Sequence, residues 1–326
     1  MRRGVVDIII AEPGSRLGYS KGLLVVRRDG ETRYAVGINE VDSLLISTRG
    51  VSVSGTLIWH LASHGIPVYI VSSSGEPLAV VSPVDANKTA DNMIAQAMWR
   101  IDPGKRVTAA KWFITAKIKA RIWLLRRLAS SRNRQDLRDE AYRLEHYMDR
   151  VRRSQDLREV LEEEARAGRL YWRLLAGLIP GDLGFSGRHP RGADPVNRSL
   201  DYMYSILRSI CHYSLIIAGF NPYIGFMHVE KSGRPSLTLD FMEPYRWAVE
   251  HAMLKLLSSR FRPEAYEGRL TVESRRMLYK ALMGAMEAVV PGHKRSLRSS
   301  IRMDAWMLAS ALRREGEYLP TIPLTR

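Results

Sequence analysis

Thiol chemistry is almost missing from this chain: its 326 residues include one cysteine, Cys211. A single thiol can neither close an intramolecular disulfide nor build a thiolate metal site. Disulfide-scaffold, redox and zinc-finger readings therefore drop out, and Cys211 is expected to be a small buried hydrophobe. Long hydrophobic runs are missing too. The N-terminal run VVDIII is short and carries Asp7, and nothing approaches the roughly 20 apolar residues of a membrane-spanning helix, so no membrane partner and a cytoplasmic location are expected. Nucleotide fingerprints are also lacking. No G-x-x-x-x-G-K-[ST] occurs and no G-x-G-x-x-G follows a strand, which leaves nucleotide hydrolysis and dinucleotide cofactors without support. Negative charge is scarce, with 34 acidic residues against 50 Lys and Arg and a formal net charge of +16. That surplus favours a polyanionic partner such as nucleic acid.

What is present reads as two regions. Hydrophobic residues make up 45% and charged residues 26% of the chain, the balance of a globular protein, and the length suggests two domains. Over residues 1–84 short β-branched runs alternate with turn residues: VVDIII, LLVVRR, TRYAVGI, SLLIST, VSVSG and PVYIVSS. The Asp29-Gly30 turn between LLVVRR and ETRYAVG predicts a hairpin. SGTLIWHLASHG predicts one short helix capped by Ser54 and stopped at Gly65. The polar stretch DANKTADN opens a linker over 85–94, and from 95 to 326 the chain turns to long helical stretches rich in Arg, Leu and Ala. The fold class is therefore α+β, a small β-rich domain followed by a larger all-α domain. Within 107–129 the apolar positions Val107, Ala110, Ile114, Ile118, Ile122, Leu125 and Ala129 recur at helical spacing, predicting an amphipathic helix with a basic outer face.

Positive charge concentrates in the helical region: 101–173 carries 19 basic and 11 acidic residues, and 251–326 carries 14 and 7. Most such clusters are solvated helix faces, but HKRSLR at 293–298 is dense enough to be a candidate phosphate contact. The Gly- and Pro-rich segment 181–197 is long for an ordered loop and is either functional or mobile. His60 and His64 share one helical face, but the sequence between them is HLASH, without the Glu that follows the first His in the reactive version of this spacing.

The block GFMHVEKSGRPSLTLDFMEPYR, 225–246, combines His228, Asp240 and Glu243. SLTLD reads as a short extended run, after which a helix starts at FMEPYR. Asp240 and Glu243 then have the spacing of a capping box, and on local grounds capping is the stronger reading. If the turns fold His228 over the helix start, imidazole and carboxylates converge instead, a mixed N and O donor set suited to Mn2+ or Mg2+. A further carboxylate is needed, and EEEARAGRLYW at 162–172 offers three glutamates among which spacing does not choose.

The ordered blocks GIPVYIVSSSGEPLA, AAKWFITAKIKAR, EARAGRLYW, DPVNRSLDYMYSIL and AGFNPYIGFMHVEKSGRPSLTLDFMEPYR resemble the CRISPR-associated spacer-acquisition integrases, the "Cas one" endonuclease family, over almost the full chain. The resemblance implies Glu164, His228 and Glu243 as ligands of Mg2+ or Mn2+, with Asp240 as a supporting catalytic acid. Ala165 and Met203 stand where the family commonly has small residues. The implied activity is metal-dependent DNA cleavage and integration, in which the 3′-hydroxyl of a short DNA fragment attacks a phosphodiester at a CRISPR repeat. The implied partners are double-stranded and branched DNA, a second copy in a homodimer formed through the β-rich domain, and the small "Cas two" protein. Two other readings remain: a non-catalytic basic nucleic-acid-binding protein, in which Asp240 and Glu243 only cap, and a metal nuclease acting on RNA.

Overall fold

In the computed structural model, residues 6–72, 77–81, 90–228, 233–266 and 268–324 are described. The SSSGEP turn, the start of the linker and much of the EKSGRP turn lie largely outside them. The chain divides into two compact units, residues 1–88 and 89–326.

Among its described residues the first unit holds two four-stranded sheets and one α-helix. Strands β2 (Arg16–Ser20), β3 (Leu23–Arg28) and β4 (Glu31–Gly37) form an antiparallel meander, extended by β6 (Ser52–Val53) parallel to β2. Its β3–β4 turn is the predicted one, with positive φ at Asp29 (53°) and Gly30 (82°), the conformation a two-residue hairpin needs. The second sheet is mostly parallel, a pairing the strand pattern did not specify. Its order is β1 (Val6–Ile10), β5 (Val41–Ile46), β7 (Val68–Val71), β8 (Pro77–Val81), and the first three strands run parallel. Parallel neighbours need a crossover, and helix α1 (Gly55–Ser63) lies in the one between β5 and β7. Ser54 caps α1 by accepting from Leu57 N–H, and Gly65 follows its end at φ 71°. Leu57 and Leu61, one turn apart, join Ile8, Leu17, Leu24, Leu44 and Val68 in one core drawing on both sheets.

The second unit begins at α2 (Ala90–Ile101), inside the stretch read as linker, and continues through α3 (Pro103–Arg132), α4 (Gln135–Arg153), α5 (Leu157–Ala176), α6 (Pro195–Ile217), α7 (Ser236–Met242), α8 (Arg246–Ser258), α9 (Val272–Glu287) and α10 (Leu297–Arg314). A two-stranded hairpin, β9 (Ala265–Tyr266) with β10 (Arg269–Leu270), interrupts what was expected to be all helix. The 30-residue α3 starts on an Asp102 cap with Pro103 in its first turn and ends at Asn133 in the left-handed region. Its predicted apolar stripe is buried, but burial reaches well beyond that stripe. From Phe113 to Leu125 nearly every position is buried, Lys117 and Arg121 included, because α4, α5 and α8 surround it. Of the basic outer face, Lys119 and Arg127 are exposed and Arg126 is half-buried.

Candidate active site

Two charged clusters hang on α3. Lys117 Nζ lies 2.6 Å from Glu164 Oε1 on α5 and 2.5 Å from Glu243 Oε2, which sits in a single 3-10 turn, Glu243–Tyr245, joining α7 to α8. Arg246, at the start of α8, pairs with the other oxygen of Glu243 at 2.8 Å. One turn further along α3, Arg121 donates to Glu250 Oε1 at 2.8 Å, Tyr204 to the same oxygen at 2.8 Å and Tyr171 to Oε2 at 2.6 Å. Glu164 and Tyr171 are seven residues apart on α5, as are Glu243 and Glu250 along the 3-10 turn and α8. Two helical turns therefore repeat the same arrangement at a second level.

Of the three candidate glutamates, the fold turns only Glu164 to this cluster. Glu162 pairs with Arg158 and Glu163 with Arg166 and Arg150, exposed or partly exposed arginines. Lys117 is the main reason that the Glu164 carboxyl lies below its usual range. Burial would raise Glu243, but the charges of Arg246 and Lys117 outweigh it and hold that carboxyl far below the usual range. For Glu250, burial is likewise outweighed by the Arg121 charge and by hydrogen bonds from Arg121, Tyr171 and Tyr204.

The capping-box reading of 240–243 is wrong. SLTLD is not extended but forms most of α7, so Asp240 falls within a helix rather than before one. Its fully buried carboxylate serves the preceding loop instead, accepting from the backbone N–H groups of Phe226 (2.5 Å), Met227 (2.9 Å) and His228 (3.2 Å). It also accepts from His228 Nδ1 at 2.5 Å, which assigns the ring proton to Nδ1 and leaves Nε2 as the free nitrogen, the usual arrangement of a ligating imidazole. Gly225 makes this approach possible. A Cβ there would stand 2.7 Å from the Ser236 carbonyl carbon and 2.8 Å from Asp240 Oδ2, closer than a real side chain comes. Arg106 Nε donates to Phe226 O at 2.7 Å and ties the same loop to α3.

The segment 181–197 is ordered by the first turns of α6. Asp194 caps that helix, Asn197 accepts from His189 N–H and Arg188, and Asp201 accepts from Arg191 N–H and Arg188. The guanidinium of Arg188 stacks over Tyr204, which binds the loop to the Glu250 cluster. In 293–298, His293 and Arg298 are engaged within the fold, with Ile322 O and Glu287, while Lys294 and Arg295 are exposed. His60 stacks on Tyr19 and its carbonyl accepts from His64, an arrangement that accounts for both without a ligand. Cys211 is fully buried, as expected. No helix among the described residues is long and apolar enough to cross a membrane.

The sequence reading missed Lys117, Arg121 and Glu250. Lys117 and Arg121 carried a signal in their spacing, four apart and flanked by apolar residues on both sides, but a lysine or arginine in a helix is ordinarily assigned to solvent.

For a divalent ion, the chemistry of the donors fits: two carboxylates held ionised and an imidazole presenting Nε2 suit Mg2+ or Mn2+. Glu243 Oε2 is buried and, despite its close ion pair with Lys117, receives no well-directed hydrogen bond. As placed, however, no three His, Cys, Asp or Glu side chains among the described residues stand close enough to share one ion. The carboxylates are gathered on an ammonium instead.

The sequence profile of the family described as CRISPR associated protein Cas1 matches residues 8–283. A CRISPR-associated endonuclease Cas1 of Hyperthermus butylicus is 34% identical over 97% of this chain and 98% of its own length, and one of Pyrobaculum aerophilum is 33% identical over 94% and 99%. Among solved structures, a CAS1 protein from Thermotoga maritima superposes with a TM-score of 0.75 at 18% identity, covering 98% of this chain and all of that one. A casposase bound to integration product does so at 0.75 and 21%, covering 96% and 92%. These two likenesses are of fold. This chain belongs to the Cas1 family of CRISPR-associated proteins.

Proposed function

We propose that this protein is a divalent-metal-dependent DNA endonuclease and integrase that inserts short DNA fragments into a CRISPR repeat array. The observation that carries the reading is the meeting of Glu164 and Glu243, 79 residues apart in sequence, on one buried cation, in the unit where Asp240 orients His228 with Nε2 free. The curated relatives are named endonucleases, and the casposase of the same fold is described with an integration product.

In this reading Glu164, His228 and Glu243 hold Mg2+ or Mn2+, which supplies charge neutralisation at the phosphate and lowers the pKa of an attacking hydroxyl or water. Asp240 fixes the tautomer and direction of His228. Arg246 keeps Glu243 ionised. Basic residues exposed on the helical unit, among them Lys119, Arg127, Lys294 and Arg295, bind DNA phosphates, double-stranded and branched. Pairing into a homodimer and assembly with Cas2, the partner named in a structure of the same fold with a TM-score of 0.77, belong to the same reading, as does work in the cytoplasm on chromosomal DNA.

The test is strand transfer and branched-DNA cleavage by Glu164→Ala, His228→Ala and Glu243→Ala with Mn2+ or Mg2+. Each is expected to lose activity at least about 100-fold while keeping its far-UV spectrum, in keeping with the loss of a metal ligand or its support. Full activity in all three would sink the proposal.

A further inference from the structure

We propose that Lys117 is a built-in placeholder for the divalent ion: its ammonium bridges Glu164 and Glu243 in the metal-free protein and must withdraw before the carboxylates can share an ion with His228. This inference rests on the metal reading above and adds to it how the site exists without metal.

Four observations point the same way. Lys117 is 8% exposed in the middle of the longest helix, and a buried lysine requires compensation. Its compensation is the pair of carboxylates named as ligands, both within 2.6 Å of Nζ. No other described cation joins those two groups, since Arg246 reaches Glu243 alone. Glu243 Oε2 gets charge from Lys117 but no directed hydrogen bond, so on that side the ammonium acts as a point charge, replaceable by another cation.

The residue type matters. An ammonium on a four-carbon stem can rotate away from a pair of carboxylates, whereas a guanidinium in a planar fork is held by its geometry. One turn on, where nothing needs to leave, the cation is Arg121, and two tyrosines complete the shell of its carboxylate. The consequence of a placeholder is competition. An arriving ion must displace one positive charge and tolerate it nearby, which lowers the affinity of the site and keeps the two carboxylates from repelling one another when it is empty.

A positioning role of this kind gives a readout that a merely structural lysine would move the other way. Losing a structural residue loosens a site and weakens binding, whereas losing a placeholder tightens it. The experiment is a calorimetric titration of the full-length protein with MnCl2, comparing wild type with Lys117→Met. The expected result is a Kd for Mn2+ at least about tenfold lower in the variant, the scale of one removed competing charge. An equal or higher Kd in the variant, with binding by the wild type intact, overturns the placeholder and leaves the metal reading standing. Absence of Mn2+ binding in both proteins overturns the two together. Should Lys117→Met not fold, reductive methylation of the wild type, mapped by peptide mass, replaces it. Labelling of Lys117 relative to the exposed Lys119 is expected to rise several-fold with saturating MnCl2, and unchanged labelling overturns the inference.

Discussion

The Glu250 cluster and the Glu243 cluster are built from the same helices at successive levels, yet they are finished differently. At Glu250 the carboxylate is wholly buried, both oxygens accept hydrogen bonds, and its cation lies over the ring of Tyr171 at 4.3 Å. At Glu243 a second carboxylate, Glu164, keeps a quarter of its side chain exposed, one oxygen lacks a directed donor, and His228 is held nearby by Asp240 rather than by the cluster itself. The difference separates holding a fold from holding a ligand. Arg121 Nε finds no partner, so it is the Glu250 carboxylate that is saturated: a carboxylate with both oxygens taken has no capacity left, while one with an open oxygen at the surface end of the same scaffold can exchange a partner.

The largest effect expected from breaking this comparison is at the closed cluster. Glu250→Ala leaves Arg121 buried without its counter-charge and two tyrosines without their acceptor. It should cost about 3–5 kcal/mol, the usual result of removing one partner from a buried pair, read as a lower urea midpoint. A loss below about 1 kcal/mol would mean that the two clusters are not finished differently after all.

Acid should sharpen the contrast at intermediate size. Glu164, Glu243 and Glu250 all have folded-state pKa values below the ordinary one. Each therefore contributes stability that is fully present above the unfolded value of about 4.3 and lost as pH falls toward the folded value. The melting temperature should drop with acidity below about pH 5. Glu250→Gln should flatten that dependence more than Glu164→Gln, because the Glu164 pair is partly open to water. Equal slopes would contradict the assignment.

The smallest effect on stability belongs to Glu164→Gln. Its partly exposed pair with Lys117 should cost about 1 kcal/mol or less in a urea titration, even though the same change removes a proposed ligand. A stability loss as large as that of Glu250→Ala would make Glu164 a structural residue.

Much of the fold was legible in order of sequence. Period-2 runs and the Asp29-Gly30 turn marked the β-rich start, Ser54 and Gly65 bracketed α1, and helical spacing marked α3. What local patterning could not supply was partnership. It marked β5 and β7 as strands on either side of a helix without showing that they pair in parallel, and it gave no partner to Lys117 and Arg121, the two basic residues of α3 that packing buries. At 240–243 it assigned a cap, because an acid three residues before another looks the same whether it begins a helix or lies within one.

For the site, the sequence by itself determined which residues carry usable chemistry: a histidine in a glycine-containing turn, two acids three apart and a run of three glutamates. It also determined the family, through the order of its blocks. The resemblance singled out Glu164, but only the tertiary structure decided that Glu162 and Glu163 pair with outer arginines instead, that Asp240 orients His228, and that Lys117 spans Glu164 and Glu243. The physical reason is range. Caps, turns and helical periods are set by neighbours within four residues, whereas the ionisation and pairing of a buried carboxylate are set by whichever charges packing brings within a few ångströms.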